Sequence, residues 1–302
     1  MSDLTAAIRA QARDLLARGR VEYVVGYETG SDGVNARPFF VRTVEEADRL
    51  VFDNTCTHNL AKYLGEPERR GHMIGVVVKP CDARSLNVLL GENKFPRDVV
   101  AIGVVCPGIV QRTREGGDGA TLQPRCQSCD QHTPVVCDIL VGDALPGGES
   151  EQLPLPPGDV GATGRSPLQA AAQLEALDAR GRSAFWAAHF SRCIRCYACR
   201  QVCPQCYCGE CFAESLDPEW VGIRIGEAEN WLFHTIRAFH LAGRCVGCDE
   251  CERVCPVNIP LSLLNGRLRR EVWDKFQFQA GLKPDEPPPL ATFRKEEKLD
   301  QE

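Results

Sequence analysis

Seven cysteines fall within one short stretch of the chain, RCIRCYACRQVCPQCYCGEC (residues 192–211). The first four follow the pattern C-x-x-C-x-x-C-x-x-x-C-P, which recurs once later in the chain; the two copies are Cys193, Cys196, Cys199 and Cys203, and Cys245, Cys248, Cys251 and Cys255. This spacing is typical of chains that bind two 4Fe–4S clusters, because three thiolates surround one cluster and the fourth reaches its neighbour. Two adjacent clusters of this kind transfer electrons one at a time, so they act as an electron relay and not as a catalytic site.

The two ligand sets are therefore predicted to cross. One cluster would be held by Cys193, Cys196, Cys199 and Cys255, and the other by Cys245, Cys248, Cys251 and Cys203. Each fourth cysteine precedes a proline and is expected at the start of a helix. Zinc is the alternative because it also takes four thiolates, but zinc sites use paired C-x-x-C knuckles and not triplets.

A third group of cysteines lies in the first half of the chain. Cys106 ends an apolar run, DVVAIGVVCPG, and is followed by Cys126, Cys129 and Cys137. The carboxyl ends of strands in α/β sheets are where ligands bind, so we expect these four thiols to hold a third 4Fe–4S cluster. A zinc site and unliganded thiols are the alternatives.

Three cysteines are left over in the opening stretch: Cys206, Cys208 and Cys211. They supply three thiolates where a cluster needs four, and Cys81 is the predicted fourth ligand, bridging the two halves. Zinc binding or inert packing remains open for them. Cys81 follows Lys79 at a strand-to-helix turn, where a thiolate would be favoured and an anion could bind. Cys56 is expected to be a buried, inert thiol.

The elements that must position these cysteines differ between the two halves. In the first half, apolar runs alternate with helical patterns: a strand over 21–28, a helix over 43–52 capped by Thr43, and a helix opening at Asp82. Fully apolar strands interleaved with helices predict an α/β N-terminal domain with a parallel sheet. It would be followed by an α-helical dicluster domain like bacterial ferredoxins.

The predicted domains are residues 1–144, a linker rich in proline, glycine and acidic residues over 145–167, the dicluster domain over 168–281, and an extended tail over 282–302. A helical segment is expected over 168–189.

Six histidines do not cluster, and core or surface roles are expected for His234 and His240. Arg192, Arg195 and Arg200 would offset cluster charge, meet an acidic partner or face solvent.

Composition excludes several classes of protein. The 302 residues carry a formal net charge of −6, which argues against nucleic-acid binding. We find no apolar run that approaches a membrane span and no signal peptide, so a cytoplasmic location is expected. Seventeen cysteines, an odd number, indicate metal or redox ligands in such a chain. The dinucleotide fingerprint G-x-G-x-x-G is missing.

These motifs resemble two sets of proteins. VVVKPCDARSL, GVVCPG and the C-x-x-C…P-x-x-CDI pattern resemble the beta-subunit family of coenzyme-deazaflavin hydrogenases and formate dehydrogenases. The second half resembles the dicluster parts of anaerobic sulfite reductase A subunits, sulfhydrogenase beta subunits and heterodisulfide-reductase-associated chains. The resemblance implies an electron-transfer subunit of an anaerobic redox complex, with a flavoprotein or metal-dependent catalytic subunit as partner. Some relatives bind FAD.

The sequence thus favours an iron–sulfur relay with two to four clusters. The alternatives are a reductase subunit with its own FAD site in the N-terminal domain, and a zinc-stabilised scaffold.

Overall fold

The computed structural model describes residues 2–65, 71–94, 98–111, 121–127, 129–142, 167–284 and 286–292. Its first half is built on a five-stranded sheet with the order β2-β1-β3-β4-β7. The strands are β1 (Tyr23–Thr29), β2 (Ala36–Val41), β3 (Ile74–Val78), β4 (Val99–Val104) and β7 (Ile139–Val141). β2 runs antiparallel to β1, and the pairs β1/β3, β3/β4 and β4/β7 are parallel. The predicted α/β layer with mostly parallel strands is confirmed.

The two central strands carry the core of this half. Every residue of β3 is buried, and so are the last five of β4. Helix α1 (Ser2–Ala17) and helix α2 (Pro80–Gly91) both pack on the sheet, which explains why these strands are apolar throughout. Val78 pairs with Gly103, so the carboxyl ends of β3 and β4 lie side by side. The segments holding Cys81 and Cys106 start from these ends.

Two local predictions in this half are wrong. Residues 43–52 contain only a 3-10 turn, Glu45–Arg49, although the Thr43 hydroxyl accepts a hydrogen bond from Glu46 N at 3.3 Å. The segment is short because its chain must reach β1, where Val51 N donates to Tyr27 O. Helix α2 begins at Pro80 and not at Asp82, since proline suits the first helical position.

A short hairpin leads away from the sheet after Cys106. Strand β5 (Val110–Gln111) pairs antiparallel with β6 (Thr121–Leu122), and the one-turn helix α3 (Pro124–Gln127) follows directly. The hairpin returns the chain to its starting point, because Gln123 N donates to Ile109 O at 2.8 Å. Cys126 is thereby carried back towards Cys106.

The second half is helical. Its elements are α4 (Pro167–Ala176), α5 (Ala179–Phe190), α6 (Ala198–Gln201), α7 (Glu227–Leu241), α8 (Glu250–Arg253) and α9 (Leu261–Phe276). The single helix expected over 168–189 is two helices, because the Asp178 carboxylate accepts from Gly181 N at 2.7 Å and caps a new start. Helix α7 packs between α5 and α9.

The end of the chain was predicted as an extended tail over 282–302. The residues just before it dock on the first half, because Arg84 Nη2 donates to Ala280 O at 2.9 Å and Asn87 Nδ2 to Gly281 O at 3.2 Å. Beyond them lies a 3-10 turn, Pro289–Ala291. Residues 293–302, and all of the predicted linker except Pro167, lie outside the described residues. The domain boundaries therefore stay predictions.

Within the described ranges, no helix combines the length and apolar character that crossing a bilayer requires.

Candidate functional site: three groups of cysteines

The two repeated cysteine motifs fold into the same backbone shape. In the first, Arg195 and Tyr197 have φ of +46° and +57°; in the second, Gly247 and Asp249 have φ of +73° and +52°. These residues flank the second cysteine of each motif, and each motif continues into a one-turn helix, α6 or α8. Three of the four are not glycine, and non-glycine residues adopt this left-handed region rarely and often at functional sites. Both loops are therefore shaped to surround the same kind of group.

The hydrogen bonds that follow each loop also match. Cys203 N donates to Arg200 O at 3.2 Å, as Cys255 N donates to Glu252 O at 3.0 Å. The fourth cysteine thus follows a helical turn, and the expectation that it begins a helix is wrong. The next turn repeats as well: Cys206 N donates to Cys203 O, and Asn258 N to Cys255 O, both at 3.2 Å. Cys206 is the counterpart of Asn258.

The first predicted set lines a single small cavity. Cys193, Cys196, Cys199 and Cys255 all border it, so the structure brings the fourth cysteine of the second motif to the first three of the first motif. Burial raises the pKa of the Cys199 thiol to about 11, and the three other thiols raise it further. N–H groups point at these sulfurs: Arg195 N lies 3.4 Å from Cys193 Sγ, and Ile259 N 3.4 Å from Cys255 Sγ.

The second predicted set is more deeply buried. Burial raises the pKa of Cys248 and Cys251 well above the ordinary value, and in both the Cys203 thiol adds to the rise. The first-motif cysteine therefore interacts electrostatically with two of the second-motif thiols. Burial also raises the pKa of Cys245, with Cys203 again contributing. Asn265 Nδ2 lies 3.5 Å from Cys251 Sγ, so a side-chain amide donates to this set.

The third group differs from the one expected. A cavity of about 690 Å³ is bordered by Cys81, Cys106, Cys126 and Cys129. Burial raises the pKa of Cys106 to about 11, and Cys126 adds to that rise. Cys126 Sγ accepts from Ile109 N at 3.4 Å. Cys81 from the end of β3, Cys106 from the end of β4 and the C-x-x-C of α3 therefore converge.

Cys137 lies elsewhere. It packs against Gly103 on β4, where a side chain at residue 103 would collide with the Cys137 Cβ at 2.6 Å. The pKa of its thiol is raised by burial and by Asp138. The structure thus places Cys81, and not Cys137, beside Cys106. Cys56 is fully buried, and burial raises the pKa of its thiol to about 12, which suits the expected inert role.

The surplus cysteines after Cys203 do not gather around Cys81. The Cys206 thiol hydrogen-bonds with Cys203 and interacts with Arg237. The Cys211 thiol interacts with the Arg200 side chain, and Cys208 is exposed. The groups acting most strongly on Cys81 are instead Asp82, Lys79, Arg125 and Cys106. The predicted bridge from Cys81 to this trio is not the arrangement of the structure.

The turn before Cys81 does not favour a thiolate. Burial raises the pKa of the Cys81 thiol and Asp82 raises it further, which outweighs the opposing effect of Lys79.

The fully buried Lys79 Nζ donates to Asp82 Oδ2 at 2.8 Å, Tyr27 Oη at 2.5 Å and His58 O at 2.7 Å. All three ammonium donors are used within the protein. The turn is a capped helix start, because Asp82 Oδ2 also accepts from Lys79 N at 3.1 Å.

A buried ion pair joins the third group to the second. Arg125 Nη1 lies 3.0 Å from Glu250 Oε1, with the side chains 7% and 0% exposed, and the same Arg125 atom donates to Cys248 O. Arg125 Nη2 donates to Thr57 O at 2.9 Å. Although burial raises the pKa of Glu250, Arg253 and Arg125 lower it below the ordinary value, so the carboxylate is charged. This contact fixes the relative position of the two groups.

The arginines predicted near the first motif have structural partners. The buried Arg195 donates from Nη1 to Gly222 O at 2.5 Å and from Nη2 to Ile223 O at 2.7 Å, so it fastens the segment before α7 to the first motif. Arg200 pairs with Glu214 at 2.5 Å. Arg192 Nη2 lies 2.5 Å from His189 Nδ1.

Sequence reasoning missed three residues around the groups, Arg237, Arg125 and Asn265, and it expected only a core or surface role for His234. His234 is buried, stacks on Phe190, and has Nε2 at 3.3 Å from Cys193 Sγ. The signal available was helical spacing, because residues 233, 234, 237, 238 and 241 form one buried face of α7 that includes a histidine and an arginine. A charge on a buried face requires a partner.

The donor sets suit iron–sulfur chemistry. Each group offers four thiols, N–H donors aimed at sulfur and a buried arginine nearby, which are the features that stabilise an anionic cluster. In the described part of the chain, no three His, Cys, Asp or Glu side chains converge closely enough to hold a single metal ion.

No protein-family model matches the chain. Two curated proteins are similar over nearly its whole length. One is the F420-dependent formate dehydrogenase subunit beta of Methanocaldococcus jannaschii, 23% identical with 93% of each chain covered. The other is the F420-dependent formate dehydrogenase 1 subunit beta of Methanococcus maripaludis, 23% identical with 94% of this chain and 92% of the relative covered. These homologues confirm the resemblance to the formate dehydrogenase beta-subunit family, and they are subunits of oxidoreductases.

Proposed function

We propose that this chain is the electron-transfer subunit of an oxidoreductase complex and holds three 4Fe–4S clusters. The first cluster is bound by Cys193, Cys196, Cys199 and Cys255, the second by Cys245, Cys248, Cys251 and Cys203, and the third by Cys81, Cys106, Cys126 and Cys129. A 4Fe–4S cluster of this kind accepts and releases one electron. The protein supplies thiolates, N–H donors and buried cations around it.

One observation carries the proposal. The loops of both motifs place left-handed residues at the same two positions, and a cysteine from the far end of the other motif completes the cavity of the first. Adopting the left-handed conformation costs about 1–2 kcal/mol for a non-glycine residue. Three such residues adopt it here: Arg195, Tyr197 and Asp249. A bound cluster would offset the free energy that their conformation costs.

The third cluster is supported by the convergence of strand ends. Ligands of α/β sheets bind at the carboxyl ends of strands, and Cys81 and Cys106 follow adjacent ends. Arg84 and Arg125 border the same cavity, where their charge would stabilise an anionic cluster. A fourth cluster is not part of this proposal, because Cys206 and Cys211 each interact with another partner.

The partner follows from the relatives. Both are beta subunits of F420-dependent formate dehydrogenases. We therefore assign this chain to the same type of complex, in which a catalytic subunit exchanges electrons with one end of the cluster series.

Electron paramagnetic resonance of the anaerobically purified chain tests the proposal. After chemical reduction, we expect signals from magnetically coupled 4Fe–4S clusters, because the first two ligand sets share one folded module. Silent spectra together with zinc bound to the protein would refute it and support the zinc scaffold.

A flavin-containing reductase subunit is the second candidate. The observation in its favour is the 690 Å³ cavity, which extends past the thiols of the third group to Trp186 and to arginines of α9, including Arg267 and Arg270. Pockets for organic cofactors have volumes of about 300–1,000 Å³. The chain purified in the presence of FAD should retain flavin absorbance if this candidate is right, and complete loss of FAD on gel filtration would exclude it.

A further inference from the structure

The strongest feature not used above is a buried arginine on α7. Arg237 is 4% exposed, and its Nη2 donates to Cys199 O at 3.0 Å. Its Nε has no hydrogen-bond partner among the described residues. Leaving a guanidinium buried without compensation costs several kcal/mol, so its charge must be offset by something nearby.

No carboxylate fills that role. Within the described part of the chain, no aspartate or glutamate forms an ion pair with Arg237, whereas Arg125 is paired with Glu250 and the buried Arg195 donates to three main-chain carbonyls. The groups that act most strongly on Arg237 are four cysteines: Cys203, Cys206, Cys251 and Cys199. Neutral thiols offset a buried cation poorly. Cluster thiolates would do so well.

The position of Arg237 relative to the two ligand sets is specific. Cys199 belongs to the first set, while Cys203 and Cys251 belong to the second. The guanidinium thus contacts the main chain of the first set at Cys199 O, and thiols of both sets act on its charge. Charge, hydrogen bonds and solvent exposure around the sulfurs control the potentials of such clusters.

We propose that Arg237 raises the reduction potentials of the ferredoxin-type clusters beside it. Adding one electron makes a cluster more negative without forming or breaking a bond, and a nearby buried cation stabilises that charge. This inference rests on the clusters of the proposed function.

The test is a redox titration of the full chain, followed by paramagnetic resonance. In Arg237→Gln we expect the potentials to fall, with at least a tenfold change in the reduction equilibrium of a cluster, about 59 mV for one electron. Arg237→Lys keeps the charge and should retain most of the wild-type potentials. Arg49→Gln is the matched control, because Arg49 pairs with Glu28 on the sheet, and it should leave the potentials unchanged.

The outcomes are distinct. Full iron with unchanged potentials in Arg237→Gln would overturn the inference and leave the proposed function intact. Fewer than about eight irons in the wild-type chain, the total for two clusters, would overturn both. If Arg237→Gln loses the second cluster, retention in Arg237→Lys would support a role of the charge. Equal loss in both variants would overturn it, because the shape of the side chain would then be what matters.

Discussion

Tyr197 and Asp249 occupy the same position in the two cysteine motifs and share the left-handed backbone conformation, with φ of +57° and +52°. The two side chains have no chemistry in common. What is repeated is the path of the main chain directly after the second cysteine. The two motifs are therefore equivalent as loops that surround a group, and this equivalence supports a pair of identical clusters.

The third ligand set can be tested with two serine variants. Cys81→Ser should lower the iron content by about four atoms per chain, because it removes one ligand of a 4Fe–4S cluster. Cys137→Ser should keep the full iron content, since Cys137 packs against Gly103 outside the third cavity. Iron analysis after anaerobic purification measures both. The reverse result, with iron lost only in Cys137→Ser, would instead support the ligand set predicted from the sequence: Cys106, Cys126, Cys129 and Cys137.

The left-handed position between the first two cysteines of the second motif can be tested with alanine. Gly247→Ala should lower the free energy of unfolding by about 1–2 kcal/mol through backbone strain alone. It should also displace Arg269, whose guanidinium occupies the place of the new methyl group. Gly243→Ala is the control, because φ is +74° there and the nearest atom would lie at 3.5 Å. Equal destabilisation in anaerobic urea unfolding would show that the contact with Arg269 is irrelevant.

The buried ion pair between the halves should matter far more than a surface pair. Arg125→Gln leaves Glu250 with Arg253 alone and should cost about 1–3 kcal/mol of unfolding free energy. Arg267→Gln removes exposed pairs with Glu175 and Glu271 and should cost about 0–1 kcal/mol. Denaturant unfolding under anaerobic conditions compares the two. Similar small losses would mean that the interface does not depend on Arg125.

Stability should fall in mildly acidic solution because of His58. Burial, aided by Arg253, lowers the pKa of this histidine to about 4. Below about pH 6.5 the unfolded chain binds a proton that the folded chain does not, so unfolding becomes easier until the pH reaches about 4. The loss should total about 3 kcal/mol by pH 4, of which about 2 kcal/mol is already lost at pH 5. His58→Gln should be less sensitive over this range in unfolding measurements at pH 7 and pH 5; the same slope in both proteins would argue against it.

Spacing and pattern predicted a large part of this molecule. The apolar strands β3 and β4 follow from residues that are near one another in the sequence, and the repeated spacing predicted the four thiols that line the first cavity. Cys81 was predicted to join Cys206, Cys208 and Cys211. Spacing along the chain does not show which thiol lies nearest to Cys81, because that depends on which strands pair. Only the adjacency of β3 and β4 brings it to Cys106. Arg237 was missed because a charged residue within a helix usually faces solvent, whereas this one lies on the buried face.

The central claim is tested most directly by counting iron and acid-labile sulfide in the chain purified without oxygen. We predict about twelve of each per chain, four for each of three clusters. About eight irons or fewer, which is at most two clusters, or zinc in their place, would contradict the account.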